Sequence, residues 1–389
     1  MMMTADTLLT GRELLRPGWI EVSEGTVSAL GAGRVQGADR ELGAVTVVPG
    51  FVDTHLHGGG GANFSSAERG ETATAVAFHR RHGTTTLVAS LVTAGPEDLL
   101  RQVAALARDV RAGVIDGIHL EGPWLSTQRC GAHQPSLMRD PDPAEIDRVL
   151  EAGDGTIRMV TIAPERDGAL AAIRQIVDAG VAAAVGHTEA TYEQTRAAID
   201  AGATVGTHLF NAMRPINTRE PGPVIALLED PRVTVEVITD GVHVDPALYR
   251  HVFRSVGVDR VSLVTDSMAA AGMSDGRYSL GPLAVDVVGG VARVADTQTI
   301  AGSTATMDHQ FRFAVHHSGL PRDDAVMAAV RQASANPARA LGFPPAELVA
   351  GANADLVVLD RDLVVAGVLR HGSWVVEPES DSRRAGLAP

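Results

Sequence analysis

The stretch Val48-Pro49-Gly50-Phe51-Val52-Asp53-Thr54-His55-Leu56-His57-Gly58 contains the pattern from which the fold can be predicted. The β-branched residues that lead into it and the apolar residues after Gly50 predict a buried strand. Side chains alternate along a strand, so His55 and His57 point to the same side. Two imidazoles at the end of a buried strand can bind one divalent ion, although two hydrogen-bonded core histidines would give the same pattern.

Helices and short apolar strands alternate after this stretch. The predicted helices are 67–82, 96–111, 144–152, 169–179, 192–201, 223–228 and 246–256. The predicted strands between and after them are 84–92, 114–121, 157–163, 181–187, 204–209, 233–239 and 261–266. Eight strands separated by helices predict an α/β fold, a closed parallel (β/α)8 TIM-type barrel, with an open doubly wound sheet as the alternative.

Both ends of the chain have a strand pattern. Short strands are predicted at 8–9, 19–22, 26–30 and 45–48, and again within 354–376. We therefore expect residues 1–48 and 345–389 to form one small β-sandwich domain beside a barrel of residues 49–344. Within the barrel, a β-rich insertion at 272–302 and helices near 307–318 and 322–341 follow the eighth strand.

Composition excludes several functions. The 389 residues carry a formal net charge of -14, which argues against a nucleic-acid or anionic-membrane partner. No apolar stretch approaches the ~18 residues that span a bilayer, and no secretory signal is visible. With a single cysteine, Cys130, these features lead us to expect a cytoplasmic protein.

The chain contains no lysine, so all 33 basic residues are arginine. This excludes a Schiff-base lysine, a phosphate-loop lysine and a carbamylated lysine that bridges two metal ions.

Polar residues lie at or near the ends of five predicted strands: His55, His57, His119, Glu121, His187, His208 and Asp266. In a barrel, the carboxyl ends of the strands share one face, and active sites lie there. Histidine and carboxylate side chains on that face predict a metal site, with zinc favoured and iron, manganese or cobalt as alternatives. We expect His119 to fill the barrel or support a ligand rather than to bind the metal itself.

This arrangement resembles the amidohydrolase superfamily, which has His-x-His on strand one, a bridging acid or carbamylated lysine, histidines on strands five and six, and an aspartate on strand eight. Because lysine is absent, Glu121 is the candidate bridging acid. Longer motifs are similar, in the same order, to those of the N-acetylglucosamine-6-phosphate deacetylase family across nearly the whole chain. They are Leu120-Glu121-Gly122-Pro123-Trp124, Gly186-His187-Thr188, His208-Leu209-Phe210-Asn211-Ala212-Met213, Arg219-Glu220-Pro221-Gly222, Asp240-Gly241-Val242-His243, Val264-Thr265-Asp266-Ser267-Met268 and Ala301-Gly302-Ser303-Thr304.

The resemblance implies hydrolysis of the N-acetyl group of N-acetyl-D-glucosamine 6-phosphate to D-glucosamine 6-phosphate and acetate. It assigns one metal ion to Glu121, His187 and His208, and it leaves open a second ion at His55 and His57. A metal lowers the pKa of bound water to ~7, and Asp266 can then act as general base and later as general acid. Asp266 can alternatively be a further metal ligand.

The resemblance also implies a substrate site and a shared dimer. The implied substrate-binding residues are Ala132, His133, Asn211, Ala212, Arg219, Asp240, Gly241, Val242, His243, Ile300, Ala301 and Gly302. The planar guanidinium of Arg219 suits phosphate oxygens, whereas nearby Arg214 is expected to be a solvated charge. Family members supply one phosphate contact from the neighbouring subunit, so we expect a homodimer with a shared active site.

Two alternatives stay open at this point. The chain could be another amidohydrolase, acting on a different acylated sugar or amino acid, or a non-catalytic metal-binding barrel. The Arg219 motif favours a phosphorylated substrate, and Asp266 favours an enzyme because metal binding alone needs no proton shuttle.

Overall fold

The computed structural model describes residues 1–66 and 68–378, and its centre is a sheet of eight parallel strands. Strands that follow one another along the chain are neighbours in the sheet. In order, they are Phe51–Leu56, Thr84–Val92, Gly117–Glu121, Ile157–Ile162, Ala182–Val185, Val205–Gly206, Thr234–Val237 and Val261–Leu263. This topology confirms the predicted barrel class.

Backbone hydrogen bonds bring the first and eighth strands together. The Asp266 N–H donates to the His55 carbonyl at 2.8 Å, and the His57 N–H donates to the Ser267 carbonyl at 2.8 Å. These bonds lie at the carboxyl ends of the two strands, where an open sheet would leave its edges unpaired. The open doubly wound alternative is therefore wrong.

Helices surround the barrel at the predicted positions, with small differences at their ends. They are Arg69–Arg81, Pro96–Arg111, Pro143–Gly153, Ala169–Asp178, Tyr192–Asp200, Gly222–Glu229 and Pro246–Val256. The first predicted helix included Ala67, which lies outside the described residues.

The helix Pro96–Arg111 shows why these segments pack on the sheet. Leu99, Val103 and Leu106 recur at helical spacing and are fully buried. Proline in the first turn suits the start of the helix, because that position needs no hydrogen bond from its nitrogen. After the last turn, Gly113 adopts a φ of +69°, a conformation that glycine enters without steric strain.

Strands from both chain ends share a sheet outside the barrel. This six-stranded sheet has the order Ser373–Val376, Val365–Arg370, Leu356–Leu359, Thr46–Pro49, Thr7–Leu9 and Leu14–Leu15. A second sheet has the order Thr26–Ala32, Gly18–Ser23, Met2–Ala5 and Arg40–Glu41. Apolar side chains of both sheets, including Met3, Ile20 and Val358, form one cluster. We propose the domain division 1–48 with 345–389, and 49–344; residues 379–389 lie outside the described part.

The opening stretch forms two strands rather than one. Thr46–Pro49 belongs to the six-stranded sheet, and Phe51–Leu56 is the first barrel strand. Gly50 between them donates its N–H to the Asp355 carbonyl at 2.9 Å. A Cβ at Gly50 would lie 2.1 Å from Thr85 Oγ1, so the close passage from one sheet to the other requires glycine.

The segment after the eighth strand contains a hairpin and helices. The three antiparallel strands are Gly276–Leu280, Leu283–Val288 and Val291–Val294, and the next helix is Met307–His317. The helix predicted near 322–341 is present, but it contains a π-helical turn at Arg331–Ala335 between Arg322–Val330 and Asn336–Ala340. Pro337 lacks the N–H that a continuous α-helix would use there. Among the helices described, none is both long and apolar enough to cross a bilayer.

Candidate metal centre and active site

The site residues lie at the carboxyl ends of the barrel strands. Glu121 is the last residue of the third strand, whereas His187, His208 and Asp266 follow the ends of the fifth, sixth and eighth strands. The predicted strands 181–187, 204–209 and 261–266 are therefore too long at these ends. The φ angles are +46° at His187, +25° at His208 and +47° at Asp266. The backbone therefore leaves the strand conformation at the residues whose side chains enter the site. Such conformations cost about 1–3 kcal/mol in residues other than glycine and are concentrated at functional sites.

Glu121 is at the centre of the cluster. Its Oε1 lies 3.0 Å from His187 Nε2 and 2.9 Å from His208 Nε2. Its Oε2 lies 3.1 Å from His57 Nε2, and Oε1 lies 3.4 Å from His55 Nε2. All five side chains are buried. The structure thus brings together the metal ligands predicted from the sequence.

Asp266 also approaches the histidine pair of strand one. Its Oδ1 is 3.2 Å from His57 Nε2 and 3.6 Å from His55 Nε2. The carboxylates of Glu121 and Asp266 therefore both face these two imidazoles.

The hydrogen bonds on the far side of two imidazoles show that the cluster fits a cation. His187 Nδ1 lies 2.9 Å from the Arg129 carbonyl, which only accepts, so Nδ1 carries the proton. The Nε2 lone pair of His187 then faces the Glu121 carboxylate, and two acceptors 3.0 Å apart repel each other unless a cation lies between them. His55 behaves alike: Nδ1 lies 3.1 Å from a carboxylate oxygen of Glu236, and Nε2 has no hydrogen-bond partner in the described ranges. Histidine nitrogens with carboxylate oxygens are the ligands that zinc, iron and manganese take.

Electrostatics favour a cation in the same place. Burial lowers the pKa of His57, but hydrogen bonds to Asp266 and Glu121 outweigh burial and raise the pKa to about 9. Burial raises the pKa of Glu121, but nearby His55, His133 and His187 hold it well below its usual range. Two ionised carboxylates in a buried site therefore attract positive charge strongly.

His133 differs from the other histidines of the cluster. Its Nε2 lies 3.2 Å from Glu121 Oε2, close enough to be counted among metal ligands. However, the backbone N–H of Thr93 donates to His133 Nδ1 at 3.2 Å, so in the neutral ring the proton lies on Nε2. Burial lowers the pKa of His133 to about 4. His133 is therefore a neutral hydrogen-bond donor beside the cluster.

A cavity of about 400 Å³ opens over this cluster. Its walls include the predicted metal and catalytic residues His57, Glu121, His187, His208 and Asp266. They also include the predicted substrate residues Ala132, His133, Asn211, Ala212, His243, Ile300 and Gly302. Loops that are far apart in the sequence thus line one cavity, which is large enough for a sugar-sized molecule.

The other predicted substrate residues lie elsewhere. Of the residues that the structure describes, the cavity lining does not include Arg219, Asp240, Gly241, Val242 or Ala301. Ala301 is fully buried in an apolar cluster, whereas Arg219 and Val242 are exposed. Asp240 acts through a neighbour, because its Oδ2 lies 2.7 Å from His243 Nδ1 and holds that imidazole at the cavity wall.

The model of the family described as "Amidohydrolase family" matches residues 46–375. The chain belongs to the amidohydrolase family. It is a metal-dependent hydrolase of that family, and its buried histidine and glutamate groups can hold a metal ion.

Several relatives of this amidohydrolase are named as deacetylases of N-acetylated sugar phosphates. An N-acetylgalactosamine-6-phosphate deacetylase of Escherichia coli O157:H7 is 35% identical and covers 94% of this chain and 98% of its own. An N-acetylglucosamine-6-phosphate deacetylase of Danio rerio is 38% identical over 82% of this chain and 81% of its own. A solved structure of a mutant N-acetyl-D-glucosamine-6-phosphate deacetylase from Mycobacterium smegmatis, in complex with N-acetyl-D-glucosamine-6-phosphate, is 75% identical. Its TM-score is 0.96, and the match covers 97% of this chain and 99% of that chain.

Sequence reasoning missed several residues around the site of this amidohydrolase. Gln128, Arg129, Leu280, Gln298 and Thr299 also line the cavity. Gln128 and Arg129 lie in a single 3-10 turn, Leu280 ends a hairpin strand, and Gln298 and Thr299 follow the hairpin, so none of them lies in a segment with a periodic sequence pattern. Glu236 contacts His55 from the seventh strand. An acidic residue inside an otherwise apolar strand is the sequence feature that could have identified Glu236.

His119 fills the barrel of this amidohydrolase as predicted. Its Nδ1 lies 2.9 Å from Ser90 Oγ, and its Nε2 lies 2.8 Å from Thr161 Oγ1. Both ring nitrogens are thus engaged by hydroxyl groups, which leaves His119 outside the group of metal ligands.

Proposed function

We propose that this amidohydrolase removes the acetyl group of N-acetyl-D-glucosamine 6-phosphate and releases D-glucosamine 6-phosphate and acetate. The observation that carries the proposal is the cluster of Glu121, His187 and His208 beside Asp266 at a cavity of about 400 Å³. The relative from Mycobacterium smegmatis, 75% identical to this chain, was solved with that sugar phosphate.

Glu121, His187 and His208 would hold one divalent ion, and we propose zinc, with iron, manganese and cobalt as alternatives. His55 and His57 would hold a second ion together with oxygens of Glu121 and Asp266. A bound divalent ion supplies a water of lowered pKa and polarises a carbonyl oxygen.

Asp266 is the proposed general base and general acid. Burial raises its pKa, but nearby His55 and His57 outweigh burial and lower the pKa to about 2, so the group is ionised at neutral pH. An ionised carboxylate on the cavity wall can accept the proton of the attacking water. The same carboxyl can then give that proton to the departing nitrogen, which must leave as an amine.

His133 is the proposed donor to the substrate. Its Nε2–H is held toward the cluster by the Thr93 N–H on the opposite ring nitrogen. A neutral donor there can bind the acetyl oxygen, where negative charge develops during attack.

The phosphate requires cations outside the metal cluster. Arg219 is exposed on the loop between the sixth strand and the helix Gly222–Glu229. An arginine on an exposed loop is accessible to a second copy of the chain, and we propose a homodimer in which phosphate binding involves Arg219. With one cysteine and a phosphorylated metabolite as substrate, we also propose a cytoplasmic location.

The deciding experiment measures acetate release from N-acetyl-D-glucosamine 6-phosphate by purified protein. We expect turnover that is lost with a chelator and restored by added zinc. Unphosphorylated N-acetyl-D-glucosamine is the matched control and should be a poor substrate. Absence of acetate release by metal-loaded protein would refute the proposal.

N-acetyl-D-galactosamine 6-phosphate is the second candidate substrate. The relative from Escherichia coli O157:H7 that is named N-acetylgalactosamine-6-phosphate deacetylase matches this chain over 98% of its own length. The two sugars differ only in configuration at C4, so kcat/KM for both decides the preference. If kcat/KM is higher for N-acetyl-D-galactosamine 6-phosphate, that sugar phosphate becomes the proposed substrate in place of the first.

A further inference from the structure

Glu236 connects ligands from two different strands of the barrel. Glu236 is 1% exposed and lies inside the seventh strand. The Oε2 atom lies 3.1 Å from His55 Nδ1, and it accepts the backbone N–H of His208 at 3.3 Å. The Oε1 atom accepts the hydroxyl of Thr54 at 3.3 Å.

The Glu236 main chain supports the same turn. Its carbonyl accepts the N–H of Leu209 at 2.8 Å. His208, the preceding residue, has a φ of +25°, so this turn is held in an uncommon conformation by hydrogen bonds from one residue. The position of the His208 ring therefore depends on Glu236 through the backbone.

The contact with His55 decides which ring nitrogen can bind a metal. A carboxylate oxygen at Nδ1 keeps the proton on that nitrogen and leaves a lone pair on Nε2. His55 Nε2 lies 3.4 Å from Glu121 Oε1 and 3.6 Å from Asp266 Oδ1. The lone pair is thus aimed between two carboxylates, where a cation would fit.

We propose that Glu236 is a positioning residue that makes His55 a metal ligand and couples the His55–His57 pair to His208. The inference rests on the proposed metal-dependent function. Partners behind metal-binding histidines typically contribute 10–100-fold to metal affinity. Because Glu236 contacts the His55 ring directly and His208 only through the backbone, its loss should weaken the ion at His55 and His57 more.

The test is metal binding by a Glu236→Gln variant. Affinities for Co²⁺ and Zn²⁺ are measured by competition with a chelator, and ions per subunit are counted after dialysis. Glutamine keeps the size of the side chain but removes the negative charge that faces Nδ1, which lowers the basicity of the Nε2 lone pair. We expect the ion at His55 and His57, identified as the one that His55→Ala weakens, to bind about 10–100-fold less tightly, and the other ion to change less than about threefold.

A double-mutant cycle separates positioning from a general structural role. His55→Ala should weaken the same ion, and the variant with both changes should lose little beyond His55→Ala alone. Ser262→Ala is the matched control: Ser262 is buried opposite Glu236 in the next strand, and its Oγ has no partner in the part of the chain that the structure describes. That variant should bind both ions as the wild type does.

Three results would overturn the inference: unchanged affinity for both ions in Glu236→Gln, fully additive losses in the double variant, or a wild-type protein that holds a single ion. If Glu236→Gln does not fold, Glu236→Asp, which keeps the charge but is shorter by one methylene, must show the weakened ion instead. Acetate release is measured separately, so failure of the proposed deacetylation leaves the metal-binding result interpretable.

Discussion

The Nε2 atoms of His187 and His208 lie 3.1 Å apart, and both approach the same oxygen of Glu121. The two histidines follow neighbouring strands of the barrel, so parallel pairing brings their side chains to one end of the sheet. The proton on His187 Nδ1 leaves the other nitrogen as an acceptor. The arrangement is therefore stable only with a positive charge between these atoms, as a proton or as a metal ion.

Glu121→Gln should lose the ion at His187 and His208. Glutamine keeps the size of the side chain but removes its charge, and the chain has no lysine that could serve as a bridging ligand. Elemental analysis after dialysis measures the ion content of variant and wild type. Full occupancy in the variant would show that Glu121 is not a ligand.

Asp266→Asn should keep metal and substrate binding and lose turnover. General acid–base catalysis contributes about 10²–10⁴-fold, and asparagine cannot accept the proton. The measurement is kcat of metal-loaded protein together with its metal content. Near wild-type kcat in the loaded variant would contradict the assigned role, and loss of the ions would indicate that Asp266 is mainly a ligand.

Arg219→Ala should narrow the preference between N-acetyl-D-glucosamine 6-phosphate and the unphosphorylated sugar. A charge-assisted hydrogen bond contributes about 1.5–3 kcal/mol, so kcat/KM for the phosphorylated sugar should fall roughly 10–200-fold. The unphosphorylated sugar should be nearly unaffected. Arg214→Ala is the control in the same loop. Arg214 Nε lies 3.7 Å from Glu189 Oε1, so we expect this variant to keep the wild-type preference for the phosphorylated sugar. An unchanged ratio in Arg219→Ala would place the phosphate elsewhere.

His79 should make folding stability depend on pH. Burial lowers the pKa of His79 to about 4, although the hydrogen bond of Nε2 to the Gly58 carbonyl opposes this shift. The unfolded chain has a histidine pKa near 6.5, so below that pH the unfolded state binds more protons than the folded state. The free energy of unfolding therefore keeps its full value above pH ~6.5. Through His79 it falls by up to roughly 3 kcal/mol as the pH drops toward 4.

Chemical denaturation of wild type and His79→Gln between pH 4 and pH 7 measures this contribution. The glutamine variant should show a shallower pH dependence of the free energy of unfolding. His251→Gln, at an exposed helix position, serves as the control and should follow the wild type. Parallel curves for wild type and His79→Gln would show that His79 does not titrate on unfolding.

The alternation of apolar strands and helices was readable from the sequence because hydrophobic periodicity depends on neighbouring residues only. The same local rule put His55 and His57 on one side of a strand, and both side chains do face Glu121. Ligand chemistry was readable too, since residue types limit which ions a site can hold.

Tertiary structure alone decided several other contacts between distant residues. Glu236 reaches His55 across 181 positions of sequence, and the Arg129 carbonyl fixes the proton of His187 across 58. Ala301 shares a motif with Gly302 of the cavity wall, yet Ala301 lies in an apolar cluster, and Arg219 is exposed away from that wall. Such contacts depend on strand register and on turns with positive φ, which are set by packing of the whole barrel and leave no periodic trace along the chain.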